Sequence, residues 1–506
     1  MSPETSRATC FPRFVVAAAL TAAVLSLALM AVRVVNAVSL VEPLHLQTSG
    51  DEIASLFAVW KWATGETVYG DRFRPPYNAV FFNWLFYATY GTIIQALHGP
   101  VFTDYAWLPT IARLFTLAGA AVAGGLAFLL FLRIDVARLR GYKPVAAATA
   151  LVIAFGPLVG YWTITVRPDV WALAFEIGAA TAFLTFYRDR PNLAVVFVAA
   201  CCYAAWAFKQ VNVYALMGTG LFLLLRRDWR TVSILGALLV SAWILTFALG
   251  GEYYFRTVFF SGVPLSYTVA AAARNLGNFA PKVVPFLAAA AAIGAYVLSS
   301  DKRRKDFFED DRALYAATGT SAALLSIPLS FQTGAAENYY FTLFFFLTLL
   351  VLAAYSLVAK QDARVPAWVD HAFGGGWLAM AVACLLVFLG VVGTTDLRAQ
   401  HRFHSAAQAC LAPLPRPLFI GITYLSLPWM SPGSPPFVLS YVYYIERKME
   451  RRFESGGIGG LIASGYFATI VTHAPPPETI DGVRPDRYRL TPSDCPSLGI
   501  FLRRND

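Results

Sequence analysis

Long apolar runs, each closed by a short polar or basic segment, recur along the first four-fifths of the chain. They are continuous over roughly 18 to 25 residues, the length a helix needs to cross a hydrocarbon core about 30 Å thick. Barrel strands would alternate apolar and polar positions over about ten residues, so helices are predicted instead. Eleven crossings are expected, at residues 14–38, 110–132, 144–164, 168–187, 192–207, 210–225, 231–250, 282–299, 313–330, 339–358 and 375–394. The fold class is mainly α, a polytopic transmembrane helical bundle spanning residues 1–394. One further stretch, 79–97 ("AVFFNWLFYATYGTIIQAL"), is nearly long enough to span. It is read as an interfacial or re-entrant helix, because a crossing there would reverse every later helix.

The pattern changes after residue 394, where Pro-rich turns ("PLPRP", "SPGSPP", "HAPPPE") separate shorter runs. "PLFIGITYL", "YFATIVTH" and "SLGIFLRR" read as strands, and "VLSYVYYIERKMERRFES" reads as an amphipathic helix. Residues 395–506 are therefore expected to form a small soluble α/β domain. No internal repeat is visible.

Composition agrees with an integral membrane protein: 58% of residues are hydrophobic, 14% are charged, and mean hydropathy is +0.56. The net charge of +10 raises nucleic acid as a partner, but the basic residues sit in short clusters between apolar runs. With the N-terminus inside, the clusters Arg133/Arg138/Arg140/Lys143, Arg188/Arg190, Arg226/Arg227/Arg230, Lys302–Lys305 and Lys360/Arg364 all fall on the cytoplasmic side. That is the positive-inside rule, and it assigns them to topology rather than to nucleic acid. The apolar stretch Phe14–Val32 exceeds a signal-peptide core, so an uncleaved first helix is expected. Cys201, Cys202 and Cys384 fall in predicted helices, whereas Cys410 and Cys495 share the outer domain, where oxidation would allow a bridge.

The same topology gathers the polar groups on the outer side, in a long loop (39–109) and several turns. "SGDEIASLFAVWKW" follows the first crossing: Ser49 or Asp51 can cap a helix running to Gly65, with Ile53, Leu56, Phe57 and Trp60 on one side. That helix is expected to lie along the membrane surface, with Trp60 and Trp62 at headgroup depth. "TVRPDVWALAFEIG" sets Arg167 and Asp169 at a helix start, with Glu176 about 10 Å deeper. Glu176 must then face a polar cavity or a partner, since lipid would penalise its charge; Arg113 and Arg33 are candidate partners. "AFKQVNVYAL" adds Lys209 and Gln210, "GGEYYFRTVFF" adds Tyr253 and Arg256, and "FQTGAAENYYF" adds Glu337, Asn338 and Tyr339. Cations suit a lipid-linked phosphate, carboxylates suit proton abstraction from a hydroxyl, and aromatic and amide groups suit sugars. The combination points to glycosyl transfer from a polyprenyl-phosphate sugar.

The stretch "GDEIASLFAVWKWATGETVYGDRFRPPYN", followed in order by "RPD", "KQ" and "GAAENYY", resembles the GT-C membrane glycosyltransferases. The likeness is to the bacterial branch of aminoarabinose transferases, protein O-mannosyltransferases and rhizobial lipopolysaccharide galacturonosyltransferases. The resemblance implies an inverting transferase in a bacterial inner membrane with a periplasmic active site, acting on a glycan, lipid or protein acceptor. It places the family's first-loop acid, which positions or deprotonates the acceptor hydroxyl, on Asp51, with Glu52 beside it and Asp169 as a second acidic position. Arg167, Lys209 and Arg256 become candidates for holding the donor phosphate. Gln210, Tyr253, Glu337, Asn338 and Tyr339 become candidates for sugar or acceptor contacts. Some members use a divalent metal and others none; the adjacent Asp51–Glu52 is not the spaced D-x-D of metal-dependent oligosaccharyltransferases. His401 and His404 have metal-like spacing but suit a solvated segment, and "SGGIGGLIASG" follows no strand, as a phosphate loop should. The alternative function is a transporter or flippase of lipid-linked sugars, which would place its polar groups nearer the bilayer midplane.

Overall fold

Each of the eleven predicted segments carries a helix. The computed structural model describes residues 11–39, 52–77, 80–101, 105–160, 162–260, 267–332, 335–361 and 365–394, and parts of 406–503, chiefly 409–421, 452–473, 487–491 and 498–503. In chain order the helices are α1 Arg13–Ser39, α2 Glu52–Ala63, α3 Trp84–Leu97, α4 Leu108–Ile134, α5 Tyr142–Phe155, α6 Asp169–Phe186, α7 Pro191–Phe208 and α8 Tyr214–Leu225. They continue as α9 Trp229–Phe260, α10 Val269–Lys282, α11 Val284–Leu298, α12 Asp301–Glu309, α13 Asp311–Ala323, α14 Ser326–Leu329, α15 Phe341–Gln361 and α16 Ala367–Thr394. Among the described residues, seven helices are long and apolar enough to cross a membrane alone: α1, α4, α6, α7, α9, α15 and α16. The chain is a multi-pass membrane protein.

The shorter crossings have local causes. Gly156-Pro157 ends α5, and the chain continues through tight turns to a 3-10 turn at Trp162–Ile164. Pro328 lies in α14, a single helical turn that follows α13 after Leu324 and Leu325. α10 and α11 meet at an 82° bend at Val283. α9 runs on beyond residue 250, past a kink at Gly251, whose φ of 73° lies in the left-handed region that favours glycine.

α15 occupies the centre, buried along Phe341–Ala359 except at Leu350. Large apolar side chains of α9 and α16, such as Leu249 and Leu386, project outward instead, as lipid-facing positions should. Close contact at the core depends on small residues: a Cβ on Gly218 of α8 would lie 2.7 Å from Gly319 Cα of α13.

The bundle has two chemically distinct ends. At one, Arg188 and Arg226 both pair with Asp311 at the start of α13 (2.8 and 2.7 Å), and the Tyr187 hydroxyl donates to Asp228. At the other, α2 and α3 lie over the ends of α4, α6 and α7, sharing an apolar cluster with Leu108, Ala112, Val166, Ala172 and Phe208. α3 has 14 residues and rests on one end of the bundle.

The surface position expected for α2 is corrected. Trp60 is 0% exposed, packed against Phe57 and Tyr105, and α2 is buried on nearly every side beneath α3. Its sequence offers only Ser55 and Lys61 as polar positions between Ile53 and Ala63, so no solvated face exists to hold it at a surface.

In the C-terminal region β1 Leu418–Ile420, α17 Gly457–Ser464, β2 Thr469–His473, β3 Tyr488–Thr491 and β4 Leu498–Arg503 form one sheet and one helix. The sheet order is β1-β2-β4-β3, with β1 parallel to β2 and the other pairs antiparallel. The three predicted strands match β1, β2 and β4; β3 was not expected, and "SGGIGGLIASG" becomes α17. Cys410 and Cys495 are bridged, with Cα atoms 5.8 Å apart. This module grips the loop between α2 and α3: Tyr77 is buried among Phe419, Tyr443 and Ile462, and its hydroxyl donates to Glu454 O (2.6 Å). Burial, with Tyr443 and Glu454 beside it, pushes the Tyr77 phenol up to about 12, so it stays a donor at physiological pH.

Candidate functional site

Four helix ends meet beside α3. α6 starts at Asp169, directly after Pro168; α7 stops at Phe208, with Lys209 closing its last turn through an N–H to Ala205 O bond. α8 begins at Tyr214, and a 3-10 turn, Glu337–Tyr340, leads into α15. Asp169 is only 2% exposed and Lys209 5%. Asp169 Oδ1 accepts from Lys209 Nζ and from Asn338 Nδ2 (2.6 Å), while Oδ2 faces Arg167 Nε at 3.5 Å. The Arg167 guanidinium lies 5.2 Å from each of the Phe82 and Trp162 rings, and Lys209 Nζ is 4.6 Å from the Tyr339 ring. Lys209 and Arg167 both lie against this one buried carboxylate.

Glu176 lies two turns further along α6, where it accepts from Tyr214 N (3.0 Å), Ala215 N (3.3 Å), Asn212 Nδ2 (3.3 Å) and the Thr342 hydroxyl. It therefore satisfies the first N–H groups of α8 and joins three helices beneath the cluster. Arg113, foreseen as a partner of Glu176, instead forms a two-pronged pair with Glu52, at 3.1 and 2.9 Å. Glu52 Oε1 also accepts from Val166 N (2.9 Å), and both side chains are essentially inaccessible. Both oxygens of the Glu52 carboxylate are thus engaged in joining α2, α4 and the bend entering α6, which makes it an anchor for α2.

The remaining predicted residues divide. Gln210 donates to Phe81 O (2.8 Å) at the edge of the cluster. Arg256 is far more exposed than the cluster and pairs with Glu252 (2.6 Å) one turn earlier in α9, and Tyr253 shares a separate cleft with it. The part of α9 that follows the kink at Gly251 lines a cleft with the loop at Gly70–Phe73, so Arg256 and Tyr253 are not brought together with the Asp169 cluster. Glu337 pairs with Lys282 of α10 (2.6 Å), beside the cluster rather than in it. Asp51, His401 and His404 lie outside the described residues. Among the residues brought together, Asp169 Oδ2, Asn338 Oδ1, Gln210 Oε1 and Tyr214 Oη are buried with no hydrogen-bond partner among the described residues. Buried polar atoms are normally satisfied, so four unpartnered ones around a charge cluster mark a place for a polar ligand.

Sequence reasoning missed Asn83. It caps α3 through Trp84 N (2.8 Å), donates to Trp206 O (3.0 Å) and accepts from the Tyr254 hydroxyl, thereby tying α3, α7 and α9 together. A single amide within an aromatic run was its only signal. Among the described residues no three His, Cys, Asp or Glu side chains converge. Asp169 already faces two cations, so this cluster does not fit a divalent metal.

The overall architecture can be compared with known proteins. No protein-family model and no curated protein matches the sequence. Among solved structures, the chain is similar to the crystal structure of ArnT from Cupriavidus metallidurans in the apo state, with a TM-score of 0.56 at 15% identity over 94% of this chain and 97% of that one. The chain has an ArnT-like fold. Within it, the Asp169 cluster occupies the end of the bundle covered by α2 and α3, which is also the end that the C-terminal module grips.

Proposed function

We propose that this protein is an integral membrane glycosyltransferase. It moves a sugar from a polyprenyl-phosphate donor to a hydroxyl of a cell-envelope glycan, glycolipid or protein, in a bacterial inner membrane with the site facing the periplasm. The observation that carries this reading is the buried group of Arg167, Lys209 and Asp169, with polar atoms around it that have no hydrogen-bond partner among the described residues, inside an ArnT-like fold.

In the reaction, Asp51 takes the proton from the acceptor hydroxyl, whose oxygen attacks the anomeric carbon. The bond from that carbon to the phosphate oxygen breaks on the opposite face, so the anomeric configuration inverts. Lys209 and Arg167 hold the departing phosphate, whose charge grows as the bond breaks. Asp169 positions both cations. Asn338, Gln210 and Tyr339 face the sugar. Glu52 is a positioning residue that fixes α2 against α4.

The test uses the full-length protein in nanodiscs. Lys209→Gln and Arg167→Gln each remove a charge-assisted contact, so polyprenyl-phosphate binding should weaken about ten- to a hundredfold. Asp51→Asn should retain that binding and lose transfer. Unchanged donor binding in both cation variants, or near wild-type transfer by Asp51→Asn, would overturn the reading.

A further inference from the structure

Beyond the Asp169 cluster, a cavity of about 470 Å³ opens between the loop at Gly70–Phe73 and the part of α9 that follows Gly251. This lies within the size range of ligand pockets. Asp71, Arg72 and Phe73 form one wall; Glu252, Tyr253 and Arg256 form the other. The first wall is braced from behind. Asp71 Oδ1 accepts from Phe73 N (3.0 Å), Phe73 O accepts from Glu454 N (2.9 Å), and Arg72 pairs with Glu446 of the C-terminal module (2.6 Å). The second wall is exposed, its Glu252 and Arg256 side chains 66% and 67% accessible.

The chemistry of the walls selects a ligand class. The lining holds two arginines and two carboxylates, so their formal charges cancel. An anionic ligand would find each arginine already neutralised. A neutral polyhydroxyl compound would find donors and acceptors in alternation, with the Phe73 and Tyr253 rings for its apolar faces. The cleft is also linked to the cluster through one layer of side chains. Tyr69, next to Gly70, donates to Phe82 O (2.9 Å) and packs on Tyr254 at 5.0 Å, and Phe82 carries the Arg167 guanidinium.

We propose that this cleft is the acceptor subsite and that it binds an uncharged saccharide portion of the acceptor. This rests on the glycosyl-transfer reading above. The C-terminal module then has a part in acceptor recognition, because it holds the Asp71–Phe73 wall in place.

The test presents the full-length protein in nanodiscs to an array of neutral hexose and pentose oligosaccharides beside uronic-acid-containing and phosphorylated ones. Neutral members should be retained. Retention should fall about tenfold or more in Tyr253→Ala and in the double variant Glu252→Ala/Arg256→Ala, all exposed positions whose loss leaves the fold intact. A charge-reversed variant, Glu252→Arg/Arg256→Glu, restores the pair and should recover part of the retention. Competition by the free oligosaccharide against the same saccharide on a glycolipid vesicle distinguishes a soluble from a membrane-borne source. Preferential retention of acidic members, no retention of neutral ones, or retention unchanged by these variants would overturn the proposal. The donor reading is scored separately: if Lys209→Gln leaves polyprenyl-phosphate binding intact while Tyr253→Ala still abolishes saccharide retention, the cleft stands and the transferase mechanism falls.

Discussion

Replacing Glu52 by Gln keeps the shape of the side chain and an acceptor for Val166 N, but removes the charge that faces Arg113. That pair is 0% and 1% exposed and joins α2 to α4. Removing one member of such a buried pair typically costs about 3–5 kcal/mol, because the other charge loses its counter-ion in a low-dielectric site. With an unfolding entropy near 2.1 cal/mol/K per residue, a chain of 506 residues shifts its melting point by about 1 °C per kcal/mol. Glu52→Gln should therefore lower the melting temperature in nanodiscs by roughly 3–5 °C. The double variant Glu52→Gln/Arg113→Met removes both charges and should recover most of that loss. Transfer activity, measured beside the melting curves, should follow stability and return in the double variant, since Glu52 acts by holding α2. A Glu52→Gln protein with unchanged melting and no transfer, not rescued by Arg113→Met, would refute this reasoning and make Glu52 the base.

Other consequences follow from packing and covalent constraint. A Cβ on Gly319 would lie 2.1 Å from the Phe346 ring, so Gly319→Ala should destabilise the bundle by about 1–3 kcal/mol, read as a lower melting temperature without a change in donor affinity. The Cys410–Cys495 bridge closes a loop with a separation of 85 residues; Cys410→Ser should cost the C-terminal module about 4 kcal/mol and make it protease-sensitive while the bundle stays intact. Labelling of both thiols without prior reduction would contradict that bridge.

The helices were legible because length and hydropathy are local signals, and short basic clusters mark where several of the apolar runs end. The pairings were not. Asp169 meets Lys209 across 40 positions and Asn338 across 169, and only their common location at outer helix ends could be read. The acids and arginines were exchanged for a definite reason: hydropathy does not fix the rotation of a helix that is apolar all round, so nothing in α2 said that Glu52 would face Arg113. The same lack of a polar face hid the burial of Trp60. Arg256 was grouped with Lys209 because both follow apolar runs on one side, but the left-handed Gly251 redirects the chain between them. α10 lies between the predicted crossings 231–250 and 282–299, where no helix was expected, although its buried positions Ala271, Ala272, Asn275 and Phe279 repeat at helical spacing. Asn275 there donates to Ser330 O and Ala335 O (2.8 and 3.2 Å), tying α10 to the turn that carries Asn338.

The central claim is that this chain consumes a polyprenyl-phosphate sugar. Mass spectrometry of lipid and glycan extracts from otherwise identical cells with and without the protein tests it most directly. The account predicts that cells lacking the protein accumulate one polyprenyl-phosphate sugar and that one envelope glycan, glycolipid or glycoprotein loses a single residue. Unchanged pools of both would contradict it.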